Sequence, residues 1–98
     1  MDSDARVDRR IAVVTGGGRG IGRACAMALA REGYDVALCA RSPGEASRVV
    51  AEISATTGCR ALWERVDVSD PDQVDAFAAR VRAELGPAEL LLNNAGVA

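Results

Sequence analysis

The stretch Thr15-Gly16-Gly17-Gly18-Arg19-Gly20-Ile21-Gly22 (TGGGRGIG) decides how the rest of the chain is interpreted. It follows a short apolar run over 11–15 (IAVVT) and precedes residues with helical periodicity. Glycines at such a junction let backbone N–H groups approach a phosphate, and the helix N-terminus adds unpaired donors and the positive end of its dipole. The stretch therefore predicts a site for the diphosphate of a dinucleotide. A tight turn without a ligand would also use glycines, and the spacing here is G-x-x-x-G-x-G rather than the strict G-x-G-x-x-G.

Strand and helix patterns alternate outward from this turn. Apolar runs predict strands over 11–15, 35–40, 60–66 and 89–93. Ser42-Pro43-Gly44-Glu45 and Asp70-Pro71-Asp72-Gln73 combine a capping residue with a proline at the first helical position, which predicts two helix starts. The inner faces of the three helices are predicted to hold Ile21, Ala24, Cys25, Ala28 and Leu29; then Ala46, Val49, Val50 and Ile53; then Val74, Phe77, Ala78, Val81 and Leu85.

The resulting order is β-α-β-α-β-α-β. This order predicts an α/β fold: a Rossmann-type doubly wound parallel sheet with the strand order 3-2-1-4, right-handed crossovers and helices on both faces. In that strand order the 89–93 strand lies at an open, apolar edge, where it is an aggregation hazard unless a partner covers it.

The composition of the 98 residues excludes several kinds of chemistry. The chain has no lysine and no histidine, which rules out Ser-His-Asp and Cys-His sites, Schiff-base catalysis and a Walker-type lysine. Its three cysteines form no C-x-x-C pair, which argues against a metal site and favours free thiols in a reducing, cytoplasmic compartment. The net charge of −2 does not favour nucleic acid, and no apolar run approaches the length of a membrane span. The polar residues 1–10 do not form a secretory signal.

The end of the second predicted strand indicates which nicotinamide cofactor the site prefers. A carboxylate there would bind a ribose 2′-hydroxyl, whereas an arginine suits a 2′-phosphate. The sequence has Ala40-Arg41-Ser42 with no acid, and Arg19 lies in the glycine turn. Two guanidinium groups favour NADP(H) over NAD(H). Either arginine could instead be a solvated surface charge.

Polar residues also follow the third and fourth predicted strands. Asp67 could accept a hydrogen bond from an adenine amino group with Val68 packed nearby, or it could simply belong to the start of the next helix. The run Asn93-Asn94-Ala95-Gly96 follows the fourth strand. Buried asparagines at that position can bridge neighbouring strands, and Ala95 and Gly96 leave room for a ribose or a nicotinamide.

These motifs together resemble the short-chain dehydrogenase/reductase family, in particular its classical branch and the N-terminal part of 3-oxoacyl-carrier-protein reductases. The matching residues are the T-G-x-x-x-G-I-G turn (15–22), the pair Asp67-Val68 and the N-N-A-G motif (93–96). The resemblance implies that a partial NADP-binding Rossmann domain spans 11–98 behind a flexible leader over 1–10. It implies cofactor contacts at Gly16, Gly18, Arg19, Gly20, Ile21, Gly22, Arg41, Asp67, Val68, Asn94, Ala95 and Gly96.

The family's catalytic Tyr-x-x-x-Lys pair has no counterpart in this chain. Tyr34 is the only tyrosine, and there is no lysine. We therefore expect the chain to be a truncated or split portion of a carbonyl/alcohol oxidoreductase that is inactive alone, with a homo-oligomer left open for the full-length form. A non-catalytic nucleotide-binding or interaction fragment is the alternative. A methyltransferase that uses S-adenosylmethionine shares the sheet type but would have an acid in place of Arg41.

Overall fold

The alternation of strands and helices folds into a parallel sheet with the strand order β3-β2-β1-β4, as the sequence predicts. The structure is a computed structural model that describes residues 10–16, 20–41 and 43–93. Its strands are β1 (Ile11–Thr15), β2 (Asp35–Ala40), β3 (Ala61–Arg65) and β4 (Leu90–Asn93). Its helices are α1 (Gly20–Arg31), α2 (Pro43–Thr57) and α3 (Pro71–Glu84). Of the predicted leader over 1–10, residues 1–9 lie outside the described residues.

The helix boundaries follow the local signals in the sequence. Asp70 caps α3, since its carboxylate accepts hydrogen bonds from the backbone N–H groups of Asp72 and Gln73, and Pro71 opens the helix. Gly58 ends α2 with a φ of 73°, a left-handed conformation that glycine adopts without steric cost. These local choices set the lengths of the crossovers that return the chain to the sheet.

Two apolar layers cover the two faces of the sheet. On one face α1 and α2 pack against Val14, Val36 and Leu38. On the other face α3 packs through Phe77 and Val81 against a second cluster, which contains Ile11, Ala37, Cys39, Leu62 and Val66. Strand β2 is therefore covered on both sides, and β1 is covered on the side of α1 and α2 and in part on the side of α3, which explains their continuous apolar sequences.

The predicted inner face of α1 is wrong by about one residue. Ile21, Ala24 and Ala28 are exposed. Nearly every position of α1 is apolar, so periodicity alone does not select a face, and packing brings an adjacent stripe of the helix against the sheet. The residues buried in α1 are Gly22, Ala26, Met27 and Ala30, with Cys25 and Leu29 half-buried.

The predicted inner face of α3 is also only partly buried. Phe77 and Val81 reach the core, but Val74 and Ala78 are exposed and line an open groove of about 590 Å³ between α3 and the β1–β4 side of the sheet. We call this the α3 groove. The neighbouring edge strand β4 leaves Leu91 64% exposed, as its predicted edge position implies.

An ion pair between Asp35 and Arg60 stabilises the edge of the sheet at which the strands begin. The carboxylate of Asp35 is fully buried at the start of β2 and accepts bonds from the backbone N–H and the Nε of Arg60, both at 2.9 Å. The guanidinium of Arg60 also donates to the carbonyls of Glu84 and Leu85. One arginine thus joins β2, the start of β3 and the end of α3.

None of the helices described in the structure is long and apolar enough to cross a bilayer.

Candidate functional site

The carboxyl ends of the strands meet at one edge of the sheet, where the sequence places its candidate residues. Thr15 pairs in register with Cys39 on one side and with Asn93 on the other, and Ala40 pairs with Arg65. The chain leaves β1 toward β2 on one side of the sheet and later reaches β4 on the other side. In open α/β sheets such a reversal of strand order produces a crevice in which ligands bind.

The glycine turn lies at the centre of this edge. Gly16 and Gly20 have left-handed φ values of 68° and 60°, which an L-residue adopts only with strain. The N–H of Gly16 donates to the carbonyl of Cys39 at 2.7 Å and ties the turn to β2. A Cβ added at Gly20 would meet no atom of the described residues within 4 Å beyond its chain neighbours and its own helix, so these residues leave space beside the first turn of α1.

The other predicted residues of the turn divide into two groups. Ile21 is exposed beside the open space, whereas Gly22 is buried in α1, at the position where a glycine allows a helix to pack closely on a sheet. Gly18 and Arg19 lie outside the described residues.

Arg41 and Asp67 are neighbours at the ends of β2 and β3. The guanidinium of Arg41 is exposed, and no carboxylate occupies positions 40 or 41. Hydrogen bonds from the hydroxyl and backbone N–H of Ser69 lower the pKa of Asp67, and the positive charge of Arg41 lowers it further. The structure therefore brings together the residues that the sequence assigns to the 2′-phosphate and to the adenine.

Asp67 is also part of the turn that leads into α3. Its Oδ1 accepts from the N–H of Ser69 at 3.0 Å and from the Ser69 hydroxyl at 2.6 Å, and its own N–H donates to Oε1 of Gln73. Oδ1 of Asp67 therefore takes part in the turn before α3, as the alternative interpretation from the sequence expects. Val68 beside it is 48% exposed, so an apolar surface is available next to the carboxylate.

Asn93 bridges β4 to β1, but through a hydroxyl and not through a second amide. The Thr15 hydroxyl donates to Oδ1 of Asn93 at 2.9 Å. The expectation that Asn93 is buried is wrong, because its strand lies at the edge and its side chain is exposed. Asn94, Ala95 and Gly96 lie outside the described residues.

Tyr34 lies at the amino-terminal edge, opposite the candidate site. It precedes β2, and its hydroxyl accepts a hydrogen bond from Arg10 at 3.3 Å, with the Arg10 guanidinium 5.8 Å from the ring centroid. The chain's single tyrosine therefore cannot reach the crevice beside Thr15.

Two features at the carboxyl edge escaped the sequence prediction. Cys39 lies at the floor of the α3 groove, and burial raises the pKa of its thiol. Arg65 ends β3 beside Ala40 and is exposed. The sequence does show an arginine at the end of the third predicted strand, but only the strand register shows that Ala40 lies next to it. Within the part of the chain that the structure describes, no three acidic, cysteine or histidine residues cluster as metal ligands would.

The residues at this edge fit a dinucleotide. A phosphate requires close backbone approach, free N–H donors and positive charge, and the first turn of α1 with its open space at Gly20 supplies the first two. Arg41 supplies a cation where an acid would repel a 2′-phosphate.

Comparison with known proteins agrees with this geometry. The family described as short chain dehydrogenase matches residues 10–98. The 3-oxoacyl-[acyl-carrier-protein] reductase of Staphylococcus aureus is 44% identical over 87 residues, which cover 88% of this chain and 35% of that protein.

Solved structures show the same fold. L-sorbose reductase from Gluconobacter frateurii, complexed with NADPH and L-sorbose, superposes with a TM-score of 0.85 at 39% identity over 90% of this chain and 34% of that chain. A metagenomic short-chain oxidoreductase in complex with NADP superposes with a TM-score of 0.83 at 42% identity over 89% and 39%. The chain spans about a third of the length of these relatives.

Proposed function

The chain belongs to the short-chain dehydrogenase family, and on that premise we propose that it is the cofactor-binding portion of an NADP(H)-dependent oxidoreductase. The intact enzyme transfers a hydride between the nicotinamide and the carbonyl or alcohol carbon of a small molecule. Residues 11–98 form its partial dinucleotide-binding domain behind a leader over 1–10.

The observation that carries this proposal is the glycine turn at the end of β1. Gly16 and Gly20 have left-handed φ values that suit glycine, and a Cβ added at Gly20 would meet none of the described atoms within 4 Å beyond its own helix and chain neighbours. The central position of β1 places this turn beside the crevice where the strand order reverses. Backbone N–H groups at this point are suited to a diphosphate.

Arg41 supports NADP(H) as the preferred form. A phosphate on the adenosine ribose carries about two negative charges, and a guanidinium can bind two of its oxygens at once. The NADP-bound relatives are consistent with this choice. We assign the diphosphate to Gly16, Gly18, Arg19, Gly20, Ile21 and Gly22, the 2′-phosphate to Arg41, the adenine to Asp67 and Val68, and the nicotinamide-side ribose to Asn94, Ala95 and Gly96.

The proposed role of this chain is binding and orientation rather than proton transfer. The nicotinamide, when bound, supplies the hydride chemistry. Oxidation of an alcohol also needs a base for the hydroxyl proton, and a tyrosine without an assisting lysine is a poor base near neutrality. Tyr34, the only candidate, is bound to Arg10 at the opposite edge. We therefore expect the 98 residues alone to bind cofactor without turnover.

Titration with the two cofactors tests the proposal. NADPH should bind the chain saturably and more tightly than NADH in isothermal titration calorimetry. Arg41→Asp should reverse the preference, whereas Arg31→Asp makes the same charge change at the far end of α1 and should leave it unaltered. Absence of saturable NADPH binding below millimolar concentration would refute the cofactor assignment, and an unchanged preference in Arg41→Asp would remove Arg41 from it.

A non-catalytic module is the second candidate, favoured by the absence of lysine and by the position of Tyr34. Absorbance at 340 nm distinguishes the two during incubation with NADPH and a panel of aldehydes and ketones. Steady consumption by the chain alone would contradict its predicted inactivity. Binding without consumption, restored to turnover by the remainder of a full-length relative, would support the enzyme portion.

A further inference from the structure

Arg65 lies next to the proposed 2′-phosphate position, on the neighbouring strand. It is the last residue of β3 and the register partner of Ala40, which immediately precedes Arg41. Neighbouring strands are about 4.8 Å apart, a distance that an arginine side chain spans. Two guanidinium groups can therefore approach the same point beyond the carboxyl edge.

The alternation of β3 sets the side of the sheet on which Arg65 lies. Leu62 belongs to the apolar cluster under α3, and Glu64 pairs with Arg80 of that helix. Trp63 packs instead into the cluster under α1 and α2. Because successive strand residues point to opposite faces, Arg65 shares the face of Trp63.

Ala40 and α2 complete the surroundings of Arg65. Cys39 belongs to the α3-side cluster, so Ala40 faces the α2 side together with Arg65. The alanine side chain is small and leaves space between the two strand ends. Helix α2 begins at Pro43, shortly after Arg41, and the positive end of its dipole lies at this same corner.

No carboxylate of the described residues forms an ion pair with Arg41 or Arg65 at this corner. The guanidinium groups of Arg23, Arg60 and Arg80 form ion pairs with carboxylates. The guanidinium of Arg65, by contrast, is exposed and forms no ion pair with any residue that the structure describes. Arg41 lies near enough to Asp67 for its charge to act on that carboxylate. Neighbouring cations repel each other, and a dianion between them would turn that repulsion into attraction.

We propose that Arg65 is a second specificity-determining residue, which binds the phosphate on the adenosine ribose together with Arg41. This inference rests on the proposed function and adds a residue that the sequence motifs do not assign. Two guanidinium groups from adjacent strands can each bind oxygens of one phosphate, and they have no comparable partner on an unphosphorylated ribose.

The test uses two nucleotides that differ only in this phosphate. Adenosine 2′,5′-bisphosphate and adenosine 5′-monophosphate are titrated calorimetrically into the full chain, its Arg65→Gln variant and an Arg31→Gln control. Arg31 ends α1 at the opposite edge of the fold, so its variant loses the same charge away from the site. Arg65→Gln should raise the Kd of the bisphosphate about tenfold and that of the monophosphate less than about twofold. Arg65→Lys should fall between, since it keeps the charge but not the planar fork.

The outcomes separate this inference from the proposed function. If the unaltered chain prefers the bisphosphate but Arg65→Gln behaves like Arg31→Gln, Arg65 is a solvated surface charge and the inference is overturned, while the NADP(H) assignment stands. If the unaltered chain shows no preference for the bisphosphate, the NADP(H) assignment itself fails, and the role of Arg65 fails with it. An equal loss of both nucleotides in Arg65→Gln would also overturn the inference, because it would indicate a general effect on the site.

Discussion

Replacing Gly20 with alanine separates the backbone requirement of the glycine turn from its proposed contact with a ligand. The φ of Gly20 is +60°, and among the described residues a Cβ built there meets no atom within 4 Å beyond its chain neighbours and its own helix. The cost to the free protein is therefore conformational and not steric, about 1–2 kcal/mol for a left-handed L-residue. Gly58, which ends α2 with a φ of +73°, also has nothing within 4 Å of its added Cβ. Gly58→Ala is thus a control with a matched cost.

The two variants should differ in cofactor binding. The methyl group added at Gly20 enters the open space that the proposed function assigns to the diphosphate. Gly20→Ala should therefore raise the Kd of NADPH by at least about tenfold, which corresponds to 1.4 kcal/mol. Gly58 lies at the amino-terminal edge, between α2 and β3, so its variant should bind NADPH with an unchanged Kd.

Urea unfolding and calorimetry provide the two measurements. Trp63 is the only tryptophan and is half-buried in β3, so its fluorescence reports the unfolding of the sheet. Equal losses of stability with unequal losses of binding would confirm both parts of the prediction. Equal effects of Gly20→Ala and Gly58→Ala on the Kd would refute the placement of the diphosphate. No loss of stability in either variant would refute the conformational reasoning.

Three further predictions concern stability. Arg60→Met should lower the free energy of unfolding by about 2–3 kcal/mol, because it removes one partner of a buried carboxylate and two bonds to helix carbonyls. Arg23→Met removes the partner of Glu52, a carboxylate that is 41% exposed, and should cost less than about 1 kcal/mol. Equal losses for the two variants in urea unfolding would contradict this account. Asp70→Ala should cost about 1 kcal/mol through loss of the α3 cap, and an unchanged urea midpoint would count against it. Burial raises the pKa of the Cys39 thiol above its usual 9.0, so the folded state holds this proton more tightly than the unfolded state. The associated stability is complete below about pH 9 and is lost as the pH rises through the folded pKa, so Cys39→Ala should show a flatter decline of stability in alkaline urea titrations than the unaltered chain.

Local signals predicted the elements because each has a short-range cause. The β-branched run of β1, the Asp70-Pro71 helix start and the glycine after α2 act within a few residues of the chain, and the structure bears out all three. The strand order also followed from the alternation of strands and helices, since right-handed crossovers leave few ways to connect parallel strands.

Faces and partners were harder to predict because they depend on residues far away in sequence. Helix α1 is apolar on nearly all sides, and only packing against the sheet selected Ala26 and Met27 over Ile21. The ion pair of Asp35 with Arg60 spans 25 residues and left no periodic signal. The exposure of Val74 follows from the open α3 groove, which the sequence of α3 does not reveal.

The sequence by itself determined the order of the elements and the glycine turn, because backbone conformation at Gly16 and Gly20 depends on the absence of a side chain. It also shows that the 98 residues contain no lysine and no histidine, which excludes the catalytic chemistry that requires either of them. The tertiary structure decided which charges are neighbours. Strand register brings Arg65 beside Ala40, one residue from Arg41, although 24 residues separate Arg65 from Arg41 in the sequence. Hydrogen bonds between strands fix that register, and they form only when the whole sheet assembles.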